Sequence, residues 1–439
     1  MLLCIMFMDN NKFSFNIENT DFTANLECFM KPKVKKNFLT TEVEDRSCYT
    51  DEDKIQIQSY NKKYTVNYIN TFYSNNIIQT DDFIIIDENI HKLYPYIIGS
   101  NKHHIFVASE ETKTMDSVLE IVDKLIELQF TKKNKIIVIG GGITQDVGGF
   151  VATIYKRGVD WVLIPTTLLS MADSAIGGKV CINRKHKNII SLFNAPNEIY
   201  ISDTFLTTLP EDDIISGIGE ALKLALIGGG FCYDFFMENF NCKNYMNIIK
   251  MSASIKRAII EYDELEKCER KILNYGHTFG HALESTTNYF IPHGIAVLYG
   301  MYMINRIFYD NKFEDINTFI LSIIPEKYKK IGISYSIFIQ NVLNDKKNNG
   351  DNICFILLEE LGRTKMIYHR LDKDFGQGTE SLQLLSSRGA MVASLPVGTF
   401  GSNLEHLRCS EENFGGNNST ESLEYHIKTT LHDLFVVIT

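Results

Sequence analysis

The chain has 439 residues, 44% of them hydrophobic and 22% charged, with a formal net charge of -10 at pH 7. That length accommodates two ordinary domains with sizeable cores, and the composition excludes a mainly disordered chain. The acidic balance argues against wholesale nucleic-acid binding but leaves room for a local basic pocket that takes an anionic substrate. Nine Cys form an odd, scattered set with no Cys-x-x-Cys pair. This fits a reduced, cytoplasmic compartment with thiols serving mostly as buried apolar fillers. Met1 to Met8 is apolar but short, lacks a preceding basic residue and runs into Asp9-Asn-Asn-Lys12. It is expected to be neither a signal peptide nor a membrane span, and no later run reaches the roughly 20 apolar residues that spanning requires.

Residues 1–54 are polar, Asn- and Lys-rich and without sustained period, including Lys31-Pro-Lys-Val-Lys-Lys36. A poorly ordered extension with a solvated basic run is expected there. Lys54 to Ile69 alternates as a hairpin does, and Phe83-Ile-Ile-Ile86 reads as a short buried strand ending at Asp87-Glu-Asn89. Ile105 to Ala108 is the next strand, Thr114 to Phe130 an amphipathic helix, and Lys135 to Ile139 a third buried strand. Strand, helix, strand in this rhythm predicts a parallel sheet with covering helices, whose ligands bind beyond the carboxyl ends of the strands.

At that end of the third strand stands Gly140-Gly-Gly-Ile-Thr-Gln-Asp146. Such glycines let a backbone approach a phosphate, and a following helix N-terminus attracts an anion. A tight turn is the plainer explanation, because the run is not the G-x-G-x-x-G fingerprint. Arg157-Gly158, a strand Trp161 to Ile164, Pro165-Thr166-Thr167, Asp173 to Lys179, and Lys185-His-Lys-Asn188 follow; taken singly, each is compatible with a surface loop. From about Leu206 the pattern turns helical: Glu211 to Ile227, Tyr245 to Glu261, Glu269 to Thr286 and Ile295 to Tyr309, with further helices to about Asn348. A late strand pair, Asn352 to Leu358 and Lys365 to His369, precedes a Gly/Ser/Asn-rich tail.

Within the predicted helix 269–286, His277 and His281 are four apart, so both imidazoles project from one face, roughly 5 to 6 Å apart at Cβ. His293 follows in Pro292-His-Gly294, and Arg270 and Asn274 would share the same helical face. Three His so close, with an acidic residue arriving from elsewhere, could hold a divalent metal. Peptide hydrolysis is not indicated, since the zinc-protease pattern His-Glu-x-x-His has Thr278 in place of its general base.

In order along residues 55 to 372, these motifs resemble the 3-dehydroquinate synthase family of sugar phosphate cyclases. The residues that carry the resemblance are Gly140 to Asp146, Arg157-Gly, Pro165-Thr-Thr, Asp173 to Lys179, Thr208-Leu-Pro, Gly219-Glu-Ala-Leu-Lys223, Lys256, Asp263-Glu264, Arg270 to His281, His293-Gly and Asp345-Lys-Lys. The resemblance implies an α/β fold: an N-terminal Rossmann-like parallel-sheet NAD-binding domain (55–204) and a C-terminal α-helical metal-binding domain (205–372). Residues 373–439 would be a tail without assigned role. It implies zinc or cobalt held by Glu220, His277 and His293. It implies NAD against Asp87, Asn89, Glu110, Lys113, Gly141, Gly142, Asp146, Thr166, Thr167 and Thr208. The substrate would be gripped by Arg157, Asp173, Lys179, Asn188, Lys256, Arg270, Asn274, His281 and Lys346 or Lys347.

Catalysis would fall to His281 as proton carrier with Lys179, Lys223, Lys256, Arg270 and Asn274, and the enzyme would be a homodimer. The implied reaction, in the shikimate pathway to aromatic amino acids, turns 3-deoxy-D-arabino-heptulosonate 7-phosphate into 3-dehydroquinate and phosphate, with NAD restored each turnover. The chain departs from the family between Lys179 and Lys187, where the loop is one residue shorter and reads Arg184-Lys-His186, and at Gln145 and Ala221-Leu-Lys-Leu224. Two other activities suit parts of the pattern. A valiolone- or inosose-forming cyclase would not need the carboxylate-binding set Lys256, Arg270 and Asn274. A metal- and NAD-dependent polyol dehydrogenase would release NADH stoichiometrically and needs no cationic cluster.

Overall fold

The computed structural model describes residues 21–23, 53–70, 77–267, 269–344, 352–370 and 417–438. The chain forms two compact units, Asn25–Lys271 and, separately, Met1–Ala24 with Ile272–Thr439. Strand β1 (Asp21–Thr23) belongs to the latter. Residues 1–20 and 24–52 of the expected N-terminal extension, Lys346 and Lys347, and positions 371–416 lie outside the described residues.

The first unit is built on a seven-stranded sheet. Its strands are β2 (Lys54–Gln58), β3 (Lys63–Tyr68), β4 (Phe83–Asp87), β5 (His103–Phe106), β6 (Ile136–Gly140), β7 (Trp161–Pro165) and β10 (Glu198–Ile201), in the order β2-β3-β10-β7-β6-β4-β5. All neighbouring pairs run parallel except the β2–β3 hairpin. The continuous apolar runs expected to be buried on both faces are the central strands β4, β6 and β7, in which every residue is buried. Alternating β2 buries one face only. The expected amphipathic helix is Met115–Glu127, capped by Thr114, whose hydroxyl accepts from the Ser117 N–H at 3.3 Å. Its buried stripe is Val118, Ile121 and Leu125, while Leu119 and Ile126 of the same apolar set face solvent.

Two features of this unit were not legible in the sequence. Lys179–Arg184 (β8) and His186–Phe193 (β9), read as loop, form an antiparallel hairpin with a bulge between Ile182 and Arg184 and Lys185 at φ +58°. The unit also continues past residue 204 to Lys271 and takes in helices Glu211–Gly228, Gly230–Asn241 and Tyr245–Asp263.

The second unit contains helices His277–Thr286, His293–Tyr309, Glu314–Ile323 and Tyr335–Leu343, and the predicted late strand pair, β12 (Asn352–Glu360) with β13 (Arg363–Arg370). Strand β1 adds to β13. The end of the chain forms helix Asn417–Leu434 and strand β14 (Val436–Ile438), which pairs in parallel with β11 (Gly332–Ser334). The helix expected over 269–286 is not continuous. A 3-10 turn, Glu269–Asn274, ends before Gly276, whose φ of +77° starts a new helix at His277. Arg270 and Asn274 therefore do not share a helical face with His277 and His281.

Candidate active site

In the sheet unit, Asp87 ends β4, Gly141 and Gly142 follow β6, and Thr166 and Thr167 follow β7. These three strands are adjacent and in register, with Ile86 opposite Ile139 and Gly140 opposite Pro165. The residues expected around NAD thus gather at the carboxyl ends of neighbouring parallel strands, where this architecture binds ligands. Gly141 begins helix Gly142–Ile154 with no side chain capping it. A Cβ on Gly141 would lie 3.0 Å from Thr167 Cγ2.

Asp87 is the N-cap of helix Glu88–Leu93, accepting from the N–H of Asn89 at 2.8 Å, while burial raises its carboxyl above the ordinary range. Thr208 Oγ1 lies 2.9 Å from the hydroxyl of Tyr94, which ends that same helix.

Glu110, Lys113, Asp146 and Asn188 form one hydrogen-bonded group. Lys113 Nζ reaches Asp146 Oδ2 at 2.5 Å and Asn188 Oδ1 at 2.6 Å. Asn183 Nδ2 donates to Glu110 Oε2 at 2.8 Å, and Lys187 pairs with Glu110 at 3.0 Å. Burial raises the Asp146 carboxyl against the pull of Lys113. For Glu110 burial acts in the same sense, but Lys187, Asn183 and Lys113 together carry it below the usual range. The β8–β9 hairpin is therefore fastened to the segment after β5 and to the Gly-loop helix. Asn183 was not singled out in the sequence, because its partner Glu110 is 73 positions away.

The expected substrate cations also assemble in this unit. Lys256 Nζ lies 3.0 Å from Asp173 Oδ1, in the π-helical turn Ser170–Ser174, and also donates to the Asp173 carbonyl. Lys179 is ion-paired with Glu266, and Lys223 with Glu220. Arg270 is buried, donating to the carbonyl of Glu264 and to that of Gly177 at 3.3 Å. Burial lowers Lys256 to about 8, with Asp173 opposing and Arg270 and Lys223 adding to the shift. Burial also lowers Arg270. It would do the same to Lys223, but Glu220, Asp173 and Glu266 hold that ammonium above its ordinary value.

Cations desolvated together in this way suit a multiply charged anion, and a guanidinium adds the bidentate fork a carboxylate accepts. Arg157 is exposed, with φ +66°, three residues beyond the end of helix Gly142–Ile154.

In the second unit His277, His281 and His293 each offer a ring nitrogen, all within 4.8 Å of one another. Two glycines bring their helices together. Gly276 adopts the left-handed conformation that starts the first helix, and a Cβ on Gly300 would lie 1.8 Å from the Gly276 carbonyl oxygen. His277 Nδ1 faces the carbonyl of Tyr275 at 3.2 Å, and His293 Nδ1 faces Glu284 Oε2 at 2.9 Å. In the Nδ1–H tautomer each presents Nε2 to a metal, so the donor set and its outer contacts fit a divalent ion such as zinc. Glu284 was missed in the sequence. Its signal was present: it stands three residues after His281 and seven after His277, on the same helical face. Asn274 is half-buried in the turn before this helix.

The family profile described as 3-dehydroquinate synthase N-terminal matches residues 103–216, and the C-terminal one matches 217–348. A 3-dehydroquinate synthase of Pelagibacter ubique is 37% identical over 344 residues, covering 70% of this chain and 93% of its own. One from Alkaliphilus metalliredigens is 35% identical over 303 residues, covering 65% and 85%. Among solved structures, a 2-deoxy-scyllo-inosose synthase complexed with carbaglucose-6-phosphate, NAD+ and Co2+ superimposes with a TM-score of 0.63 at 23% identity, over 72% of this chain and 96% of that one. A 2-epi-5-epi-valiolone synthase of Streptomyces hygroscopicus with NAD+ and Zn2+ bound gives 0.57 at 19%, over 74% and 97%. These two show the fold. The two profiles together span the Gly141 and Thr166 strand ends and the histidine cluster, and with the sequence relatives they establish that the chain belongs to the 3-dehydroquinate synthase family.

Proposed function

We propose that this protein is a 3-dehydroquinate synthase, a carbon–oxygen lyase converting 3-deoxy-D-arabino-heptulosonate 7-phosphate to 3-dehydroquinate and phosphate. The observation that carries the choice of substrate is the buried pair Lys256 and Arg270 beside Asp173, in a chain whose relatives bear that enzyme's name. A sugar phosphate without a carboxylate would leave part of that buried charge unmatched, at a desolvation cost nothing repays. NAD and a divalent metal, zinc or cobalt, when bound supply reversible hydride acceptance and Lewis acidity.

The chain's own residues do the rest. His277 and His293, with Glu220 as the carboxylate, hold the metal. Asp87, Asn89, Gly141, Gly142, Thr166, Thr167 and Thr208 line the nucleotide cleft, with Glu110, Lys113 and Asp146 at its side. Lys179, Lys223, Lys256 and Arg270, with Asn188, Asn274 and the Lys346-Lys347 pair, orient the anionic substrate and neutralise the departing phosphate. His281 moves the proton at near-neutral pH, as an imidazole is suited to do.

The test is turnover of the heptulosonate phosphate by purified protein supplied with zinc and substoichiometric NAD, following phosphate and dehydroquinate. Many turnovers per NAD are expected. NADH accumulating in proportion to an oxidised polyol would instead identify a dehydrogenase. His277→Ala should abolish metal retention, whereas His281→Ala should retain metal and slow turnover; equal metal loss in both would overturn these roles.

A further inference from the structure

Behind the histidine cluster lies a chain of buried polar side chains that the reaction described above does not use. The Tyr275 hydroxyl donates to Asn305 Oδ1 at 2.5 Å, and Asn305 Nδ2 donates to Asn317 Oδ1 at 2.9 Å. Tyr275 and Asn305 are 0% exposed and Asn317 1%, amid Met301, Ile304, Ile316 and Ile320. Apolar residues of similar volume would fill this space without the cost of desolvating an amide and a phenol. What a fully buried hydrogen-bonded chain adds is a single geometry. Here it ends on Tyr275, whose backbone carbonyl faces His277 Nδ1 at 3.2 Å, just before Gly276 turns the chain into the His277 helix.

We propose that Tyr275, Asn305 and Asn317 are positioning residues that fix the Tyr275 carbonyl and thereby hold His277 as the Nδ1–H tautomer, with Nε2 directed to a divalent metal. The inference rests on the reading of His277 as a metal ligand. The connection runs from helix 293–309, which carries His293, to Tyr275 just before the helix that carries His277, and so ties together the two elements that bear these imidazoles. Asn317 extends it to helix 314–323.

The test compares the parent protein with Tyr275→Phe, the double variant Tyr275→Phe/Asn305→Leu, and His277→Ala. Zn2+ affinity is read by competition with a chromophoric chelator. The His277 tautomer is read from ring 15N shifts of the metal-free protein, and thermal midpoints of the metal-free proteins show that each is folded. Both relay variants are expected to bind Zn2+ about tenfold more weakly, the size of effect lost outer contacts produce. They should also show a mixed His277 tautomer while still melting cooperatively, with midpoints lowered by the few degrees that losing a buried hydrogen bond produces. Parent-like affinity together with a parent-like tautomer would make the relay a purely structural feature and overturn the proposal. If the double variant fails to fold, Tyr275→Phe, which removes one oxygen atom, decides by the same two readouts. Unchanged Zn2+ affinity in His277→Ala would instead defeat the ligand reading; the tautomer shift in the relay variants would then still report whether His277 is positioned.

Discussion

Glu284 is buried, and its carboxylate faces His293 Nδ1 at 2.9 Å, so it sets which nitrogen of that imidazole is available. Glu284→Ala is expected to weaken Zn2+ binding by about 10- to 100-fold, measured by chelator competition. An affinity within twofold of the parent would remove Glu284 from the site. Lys256 gives a pH-dependent prediction. Burial lowers it to about 8, whereas in the unfolded chain it keeps the ordinary lysine value of 10.5. Between those two values the unfolded chain holds a proton that the folded chain has released, so this group's contribution to stability rises as pH climbs through that window. Substrate binding runs the opposite way, because a neutral amine no longer attracts an anion. The parent's kcat/KM should therefore fall above about pH 8. Lys256→Met should be slow at pH 7 and lack that limb; a limb that persists in the variant belongs to another group.

At the scale of elements, the turn at Tyr275-Gly276 separates what periodicity alone had joined. An apolar and polar repeat compatible with one helix over 269–286 says nothing about a single residue with φ +77°, which ends one helical segment and starts the next. Gly276→Ala would place a Cβ 2.7 Å from Met301 Cγ and 2.9 Å from Met301 N, in addition to the left-handed conformation an L side chain adopts at a cost of about 1–3 kcal/mol. The variant should lower the thermal midpoint by several degrees and reduce Zn2+ affinity with it. An unchanged midpoint would mean that the turn relaxes freely. The β8–β9 hairpin was missed for a related reason: Lys179 to Phe193 carries polar and cationic residues that read as loop chemistry. Its order comes from Asn183, Lys187 and Asn188 bonding to Glu110 and Lys113, far away in the chain.

At the scale of the whole molecule, the last segment is part of the second unit. Leu423, Ile427, Leu431, Leu434 and Phe435 are buried, Phe435 meets Tyr299 with ring centroids 4.8 Å apart, and β14 completes a pair with β11. Full burial of such side chains contributes about 1.5–3 kcal/mol each before the entropy of ordering the helix. Removing residues 417–439 should lower the thermal midpoint and weaken metal retention, since Tyr299 lies on the helix that begins at His293. A truncated chain with parental midpoint and affinity would show the segment to be dispensable. By itself the sequence determined the parallel sheet, its strands at 83–86, 135–139 and 161–164 to within a residue at each end, the helical character after residue 206, and the motifs that assign the family. Continuous apolar runs, helical spacing and short motifs are local, and their physics is written within a few residues. Only the tertiary structure decided that Glu284 backs His293, that Lys113 joins Asp146 to Asn188, and that Tyr275 is tied to Asn305. Each of these depends on a register, a backbone torsion or a close helix contact that brings together residues with no periodic relation in the chain.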